Sequence, residues 1–167
     1  RLLVALLLAV GCAAALGSPV VKIESGLISG YTDSGVNVFK GVPYAASTAG
    51  ANRWSPPQPR ESWSGVLNCT SFGPGCPQTH HNPDVPKEQS EDCLNLNIYV
   101  PASASRTPVM AFIHGGAFLE GSNRGAFGLY DGVHMAQHGV CVFTMNYRLG
   151  ALGFLATSSL EGNYGLK

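Results

Sequence analysis

Val109-Met110-Ala111-Phe112-Ile113 is a continuously apolar run that leads directly into His114-Gly115-Gly116-Ala117-Phe118. Five apolar residues with no polar alternation predict a strand covered on both faces of a sheet. The paired glycines end it and turn the chain. A second run of the same kind, Val140-Cys141-Val142-Phe143-Thr144-Met145, ends in Asn146-Tyr147-Arg148. Between the two, Asp131-Gly132-Val133-His134-Met135-Ala136-Gln137-His138-Gly139 reads as a short helix stopped by Gly139. Strand, loop, helix and strand predict an α/β sheet with crossover connections.

The turn at Gly115-Gly116 is the candidate functional segment. A residue without Cβ lets the backbone approach a ligand closely. Consecutive N–H groups in such a turn can converge on one point, the arrangement that holds a carbonyl oxygen as it becomes negative during acyl transfer. A bare Gly-Gly would be no more than a tight strand exit. His-Gly-Gly-Ala-Phe leaving a buried strand is more specific.

Upstream, Val20–Ile23, Gly26–Tyr31 and Val36–Phe39 are short runs rich in β-branched and aromatic residues. Asp33-Ser34-Gly35 supplies a turn between the second and third. They predict a small antiparallel sheet. Residues 41–86 carry eight prolines and predict an irregular excursion anchored by Trp54 and Trp63. Leu94–Val100 alternates apolar and polar residues and predicts a half-buried strand ending at Pro101. Charged residues are only 12% of the 167, and ten basic residues balance ten acidic ones. That balance argues against a nucleic-acid binder with a broad basic face and against a polybasic membrane patch. A hydrophobic share of 45% argues equally against a disordered chain.

The first residues read as a leader. Arg1 precedes the apolar stretch Leu2–Val10, and small residues follow, with cleavage suited to follow Ala15 or Gly17. The apolar run to Leu16 is 15 residues, short of the roughly 20 that span a bilayer. The reading is therefore a signal peptide over 1–17 and a secreted domain over 18–167, with no membrane span. Arg1 is not Met, so the natural start is expected to precede it. After Cys12 is removed with the leader, Cys69, Cys76, Cys93 and Cys141 remain, and four cysteines allow three full pairings. Cys141 lies within an apolar run and reads as a free core thiol. Asn68-Cys69-Thr70 is a glycosylation sequon. His134 and His138 have metal-ligand spacing, but no third ligand accompanies them, and His80-His81 has no partner. No metal site is expected.

Five segments together resemble the type-B carboxylesterases, the α/β-hydrolase family that includes carboxylesterases and cholinesterases. They are Phe39–Ala45, Glu91–Asn97, His114–Phe118, Asn146–Phe154 and Gly162–Leu166. They follow the family's order and cover nearly all of the mature chain. The resemblance implies the N-terminal part of an α/β-hydrolase fold, with a small antiparallel sheet followed by strands of the central mixed sheet. It implies a serine esterase acting on small carboxylic esters through an acyl-enzyme, without cofactor. The family also includes catalytically inactive adhesion domains, which is the alternative reading. No Gly-x-Ser-x-Gly occurs in the chain, so the nucleophile elbow is expected beyond Lys167, and the chain is expected to be a fragment carrying no member of the triad. The resemblance assigns the oxyanion hole to Gly115, Gly116 and Ala117. Gly116 and Ala117 donate their N–H groups, Gly115 lets the turn form, and Ala117, where the family often has glycine, is expected to have negative φ. His114 is expected to position the loop. The resemblance further implies a Cys76–Cys93 disulfide, an Arg53–Glu91 salt bridge that could be buried in so uncharged a chain, and an acidic partner for Arg148 beyond the chain.

Overall fold

The computed structural model describes residues 17–79, 86–160 and 162–166. The expected leader, apart from Gly17, lies outside the described residues, as do His80 and His81. Two sheets form the body. In the first, β1 (Val20–Ile23) runs antiparallel to β2 (Gly26–Ser29), and β3 (Tyr31–Asp33) already belongs to the second. β4 (Val36–Pro43) pairs with β3, and β5 (Val66–Asn68) returns to lie parallel to β2. The second sheet continues through β6 (Asn95–Pro101), β7 (Val109–Ile113) and β8 (Cys141–Met145), in the order β3-β4-β6-β8-β7. β6 runs antiparallel to both of its neighbours, β4 and β8, whereas β7 and β8 are parallel.

The three N-terminal runs therefore do not form a single antiparallel sheet. The chain passes from one sheet to the other at Gly30. A Cβ there would lie 2.1 Å from the Val38 carbonyl oxygen, so only glycine fits the crossing. The β3–β4 turn does match the sequence. Ser34 and Gly35 both have positive φ (49° and 79°), the conformation whose twist suits a two-residue hairpin.

β6 alternates as expected, but its fully buried face is the polar one. Asn95, Asn97 and Tyr99 are buried, while Leu96 and Ile98 are half-buried against a cluster of Ile28, Phe39, Val42 and Cys69. Burying an amide costs free energy unless its donors and acceptors are met. Here they are met. Asn97 donates to Thr144 Oγ1 (3.0 Å) and to the Asn123 carbonyl (3.2 Å), and its Oδ1 accepts the Gly41 N–H (3.0 Å). Gly41 lies within an irregularity in the β4–β6 register between Phe39 and Val42, and Asn97 supplies the acceptor there.

The helix α1 (Val133–Gln137) has the expected place between β7 and β8. Asp131 Oδ1 accepts the Val133 N–H, and Gly139 ends the turn at φ 86°. Its buried Ala136 packs on Val36, Val38, Tyr99 and Val142. His134 on it and His138 just after it are exposed. A second short helix, α2 (Gly150–Phe154), follows β8. Among the described residues no helix is long and apolar enough to cross a membrane.

β7 departs from its sequence reading. It lies at the sheet edge, and all five of its residues are exposed, Val109 at 65% and Ile113 at 58%. Its composition suits a strand with cover on both faces, and the described residues pair it on one side only. An unpaired apolar edge templates association. A chain limited to residues 17–167 should therefore associate in solution, and Ile113→Lys should reduce that association. Light scattering would check this, and a monodisperse monomer of the unsubstituted chain would contradict it.

Candidate active site

The turn after β7 starts from a buried support. His114 is 3% exposed, and its ring stacks on that of Tyr147 with centroids 4.5 Å apart. The Tyr147 hydroxyl donates to the His114 carbonyl (3.0 Å), so the aromatic pair and the strand end hold each other. His114 Nδ1 lies 2.8 Å from the Gly115 carbonyl. Burial pulls the His114 pKa down, against a smaller upward effect of that hydrogen bond. The imidazole is accordingly neutral at neutral pH, with Nδ1–H the donor to Gly115. It acts as a support and not as an exposed base.

Beyond His114 the backbone turns sharply. Gly116, Ala117 and Phe118 have φ of 117°, 52° and 64°. The Gly116 carbonyl accepts N–H groups from Leu119 (2.9 Å) and Glu120 (3.1 Å), and the Phe118 carbonyl accepts the Gly150 N–H (2.7 Å). A Cβ at Gly116 would lie 1.9 Å from the Glu120 carbonyl oxygen, so glycine is obligatory there. The N–H groups of Gly115, Gly116 and Ala117 donate to no acceptor among the described residues. Gly115 and Ala117 are exposed and Gly116 is half-buried.

The expectation of a negative φ at Ala117 is corrected. Ala117 is left-handed, and so is Phe118. Each non-glycine residue in that region costs about 1–2 kcal/mol. The cost is met by the hydrogen bonds that close the turn around Gly116. Phe118 is half exposed and packs on Phe154 (ring centroids 4.8 Å apart). With Ala117, Leu119, Ala151 and Leu155 these rings line an open apolar hollow beside the turn.

The loop's far end is buried. Asn123 donates to Asn95 Oδ1 (3.0 Å) and to its carbonyl (3.1 Å), and its own N–H donates to Asn146 Oδ1 (2.7 Å). Asn146 in turn donates to the Pro74 and Cys93 carbonyls.

Residues 17–167 match the family model described as the carboxylesterase family. The chain belongs to the carboxylesterase family. It is 43% identical over 152 residues to the para-nitrobenzyl esterase of Bacillus subtilis, covering 87% of this chain and 30% of that enzyme. It is 37% identical over 177 residues to neuroligin-3 of Mus musculus, covering 78% of this chain and 21% of that protein. Among solved structures, juvenile hormone esterase from Manduca sexta, with OTFP covalently attached, superposes with a TM-score of 0.81 at 37% identity. That match covers 89% of this chain and 30% of the enzyme. The chain thus spans about a third or less of these relatives. The fold is part of the α/β-hydrolase fold of those esterases.

Cys76 and Cys93 are bonded to each other, and Cys69 and Cys141 are free and buried. Burial pushes the Cys69 thiol up to about 11. Arg53 and Glu91 form a two-point ion pair through Arg53 Nε and Nη2. The pair is not buried: its side chains are 43% and 23% exposed. The hydrogen bond from Arg53 holds the Glu91 carboxyl below its usual range. Any stabilisation it provides is therefore present at neutral pH and lost as the pH falls through that range, and solvent keeps it small. Arg148 is 4% exposed and donates from Nη1 to the Ser55 carbonyl (2.9 Å), while Nε and Nη2 have no hydrogen-bond partner among the described residues. Asn68 is exposed on the edge strand β5, with Oδ1 accepting the Thr70 N–H (3.1 Å). Among the described residues no group of three or more His, Cys, Asp or Glu side chains is arranged to hold a metal ion.

Sequence reasoning missed three participants. Tyr147 was visible only as part of a motif, and its contact with His114 spans 33 residues. Asn123 and Gln78, whose Oε1 accepts the Gly121 N–H (2.7 Å), carry no local signal at all. One consequence of the geometry is directly measurable. Ala117→Gly should leave stability unchanged or raise it by up to about 1.5 kcal/mol, because glycine relieves about 1–2 kcal/mol of left-handed strain but loses about 0.4–1 kcal/mol by freeing the unfolded chain. Chemical denaturation of the full-length parent would check this, and a clear loss of stability would mean that Ala117 is not left-handed.

Proposed function

We propose that this chain is the oxyanion-hole-bearing part of a secreted serine carboxylesterase. The observation that carries the reading is the pair of N–H groups at Gly116 and Ala117 that have no acceptor among the described residues, held on a strained turn at the end of β7. A serine hydroxyl from outside the chain adds to the ester carbonyl while a histidine takes its proton. The carbonyl oxygen becomes negative and receives the two amides. Collapse of this intermediate expels the alcohol, which takes the proton back, and water then cleaves the acyl-enzyme by the same steps. Gly115 lets the turn form. The apolar hollow beside Ala117 and Phe118 favours an ester with an apolar substituent. No cofactor is needed. In this reading residues 1–17 are a signal peptide, 18–167 are part of the catalytic domain, and exposed Asn68 carries an N-linked glycan.

The test is turnover of a simple aryl ester by the full-length parent. Ala117→Pro should cost at least about 100-fold in kcat, since it deletes one donor and its ring cannot adopt positive φ, whereas Ala117→Gly should keep the rate. A near-normal rate for the proline variant would remove the oxyanion role from this loop.

The 37% identity to neuroligin-3 favours one second reading, a catalytically silent adhesion or binding domain. A parent whose elbow lacks serine, and which turns over no ester, would establish it.

The substrate is not expected to be a choline ester. Family members that bind quaternary ammonium use an aromatic face in the loop between the first two bonded cysteines. Here residues 77–92 contain no Trp, Tyr or Phe. A choline ester and its uncharged isostere should show similar kcat/KM. A preference above about tenfold for the cation, near 1.4 kcal/mol, would reveal a cation site.

A further inference from the structure

We infer that Gln78 is a positioning residue for the oxyanion loop, through which the Cys76–Cys93 loop fixes the end of the turn at Gly121. The inference rests on the oxyanion reading of residues 115–117 proposed above. The Gln78 carboxamide does for Gly121 what a neighbouring strand would do. Oε1 accepts the Gly121 N–H (2.7 Å) and Nε2 donates to the Gly121 carbonyl (2.8 Å). The second Nε2 hydrogen donates to the Cys76 carbonyl (3.0 Å), so both donors of the amide are used.

Gly121 is the point at which the loop crosses its own start. A Cβ there, at φ 113°, would lie 2.4 Å from His114 Nδ1 and 2.7 Å from the Gly115 carbonyl oxygen. Holding Gly121 therefore holds the His114–Gly115 peptide, which immediately precedes the two donors. The loop's own hydrogen bonds, both to the Gly116 carbonyl, do not reach Gly121.

Gln78 can bear this load because its own base is fixed. It lies two residues after the disulfide, and its backbone N–H donates to Gln89 Oε1 (2.9 Å). The two arms of the disulfide loop are joined at the neck, where Gly75 N–H donates to the Glu88 carbonyl and Ser90 N–H to the Gly75 carbonyl, both at 3.0 Å. Glutamate cannot replace Gln78. An ionised carboxylate would set an oxygen against two carbonyl oxygens, because it accepts but never donates.

The experiment uses the full-length parent with Gln78→Ala and Gln78→Glu. Three quantities are read: kcat and KM for an aryl ester, the Ki of a trifluoromethyl ketone that forms a tetrahedral adduct, and amide hydrogen exchange across residues 114–121. A misplaced donor weakens binding of the transition state more than that of the substrate. Both variants should lose on the order of 10- to 100-fold in kcat with KM little changed. The ketone Ki should rise in proportion, and exchange should quicken within 114–121 while the melting temperature holds. Unchanged kcat and Ki would overturn the proposal, and so would a parallel loss of kcat, KM and melting temperature, which would mark Gln78 as a general support of the fold. If the wild-type parent turns over no ester, the esterase reading fails by itself. Exchange then decides the clamp alone: faster exchange confined to 114–121 in Gln78→Ala sustains it, and unaltered exchange ends it.

Discussion

Four buried asparagines hold the parts of this structure in register. Asn95 and Asn97 project from β6, Asn146 follows β8, and Asn123 closes the loop that begins at His114. Their amides bond to one another, to the Pro74 and Cys93 carbonyls, to Thr144 and to the Gly41 N–H. Each such bond is worth only about 0.5–1.5 kcal/mol net, but a buried group left without its partner costs about 1–3 kcal/mol. Removing one amide would orphan two or three partners at once, so the network restricts the loops to one arrangement more strongly than its net energy suggests. It also explains a chain with few charges and a polar inner face: amides satisfy buried backbone groups without the desolvation cost of ions.

The strained turn depends on that base. Ala117 and Phe118 occupy a backbone region that would relax if the loop were free. The loop is instead held at its start by the His114–Tyr147 pair, at its middle by Gly150, and at its end by Gln78 and Asn123. With both ends fixed, the N–H groups of Gly115, Gly116 and Ala117 meet no acceptor among the described residues. Unpartnered donors on a rigid turn require no reorganisation when charge develops against them, which is the physical condition for electrostatic stabilisation of an oxyanion.

Two ionisable groups in the base beneath the turn stay uncharged. His114 is neutral because it is buried, and Tyr44, pushed up to about 12 by burial, keeps its proton and donates to the Asn146 carbonyl (2.6 Å). Arg148 is the exception, a buried cation whose remaining donors have no partner among the described residues. Burial lowers its pKa, though guanidinium still remains charged at neutral pH.

The sequence by itself determined the α/β class, the strands from residue 95 onward, the helix at 133–137, the hairpin at Ser34-Gly35 and the family, because apolar periodicity, turn chemistry and short motifs are local properties. His-Gly-Gly-Ala-Phe located the candidate site for the same reason. Tertiary structure decided the rest. Alternation in β6 fixed its period but not which face would be buried, since only the positions of Gly41, Asn123 and Thr144 make buried asparagines acceptable. The apolar run of β7 specified a strand in need of cover, and whether cover exists depends on what packs beside it. The split of the N-terminal runs between two sheets followed from the approach of Gly30 to Val38. The sign of φ at Ala117 followed from carbonyl and amide partners that closed around the turn, including Gly150, far along the chain. Gln78 reaches Gly121 across 43 residues, a distance over which no spacing rule operates.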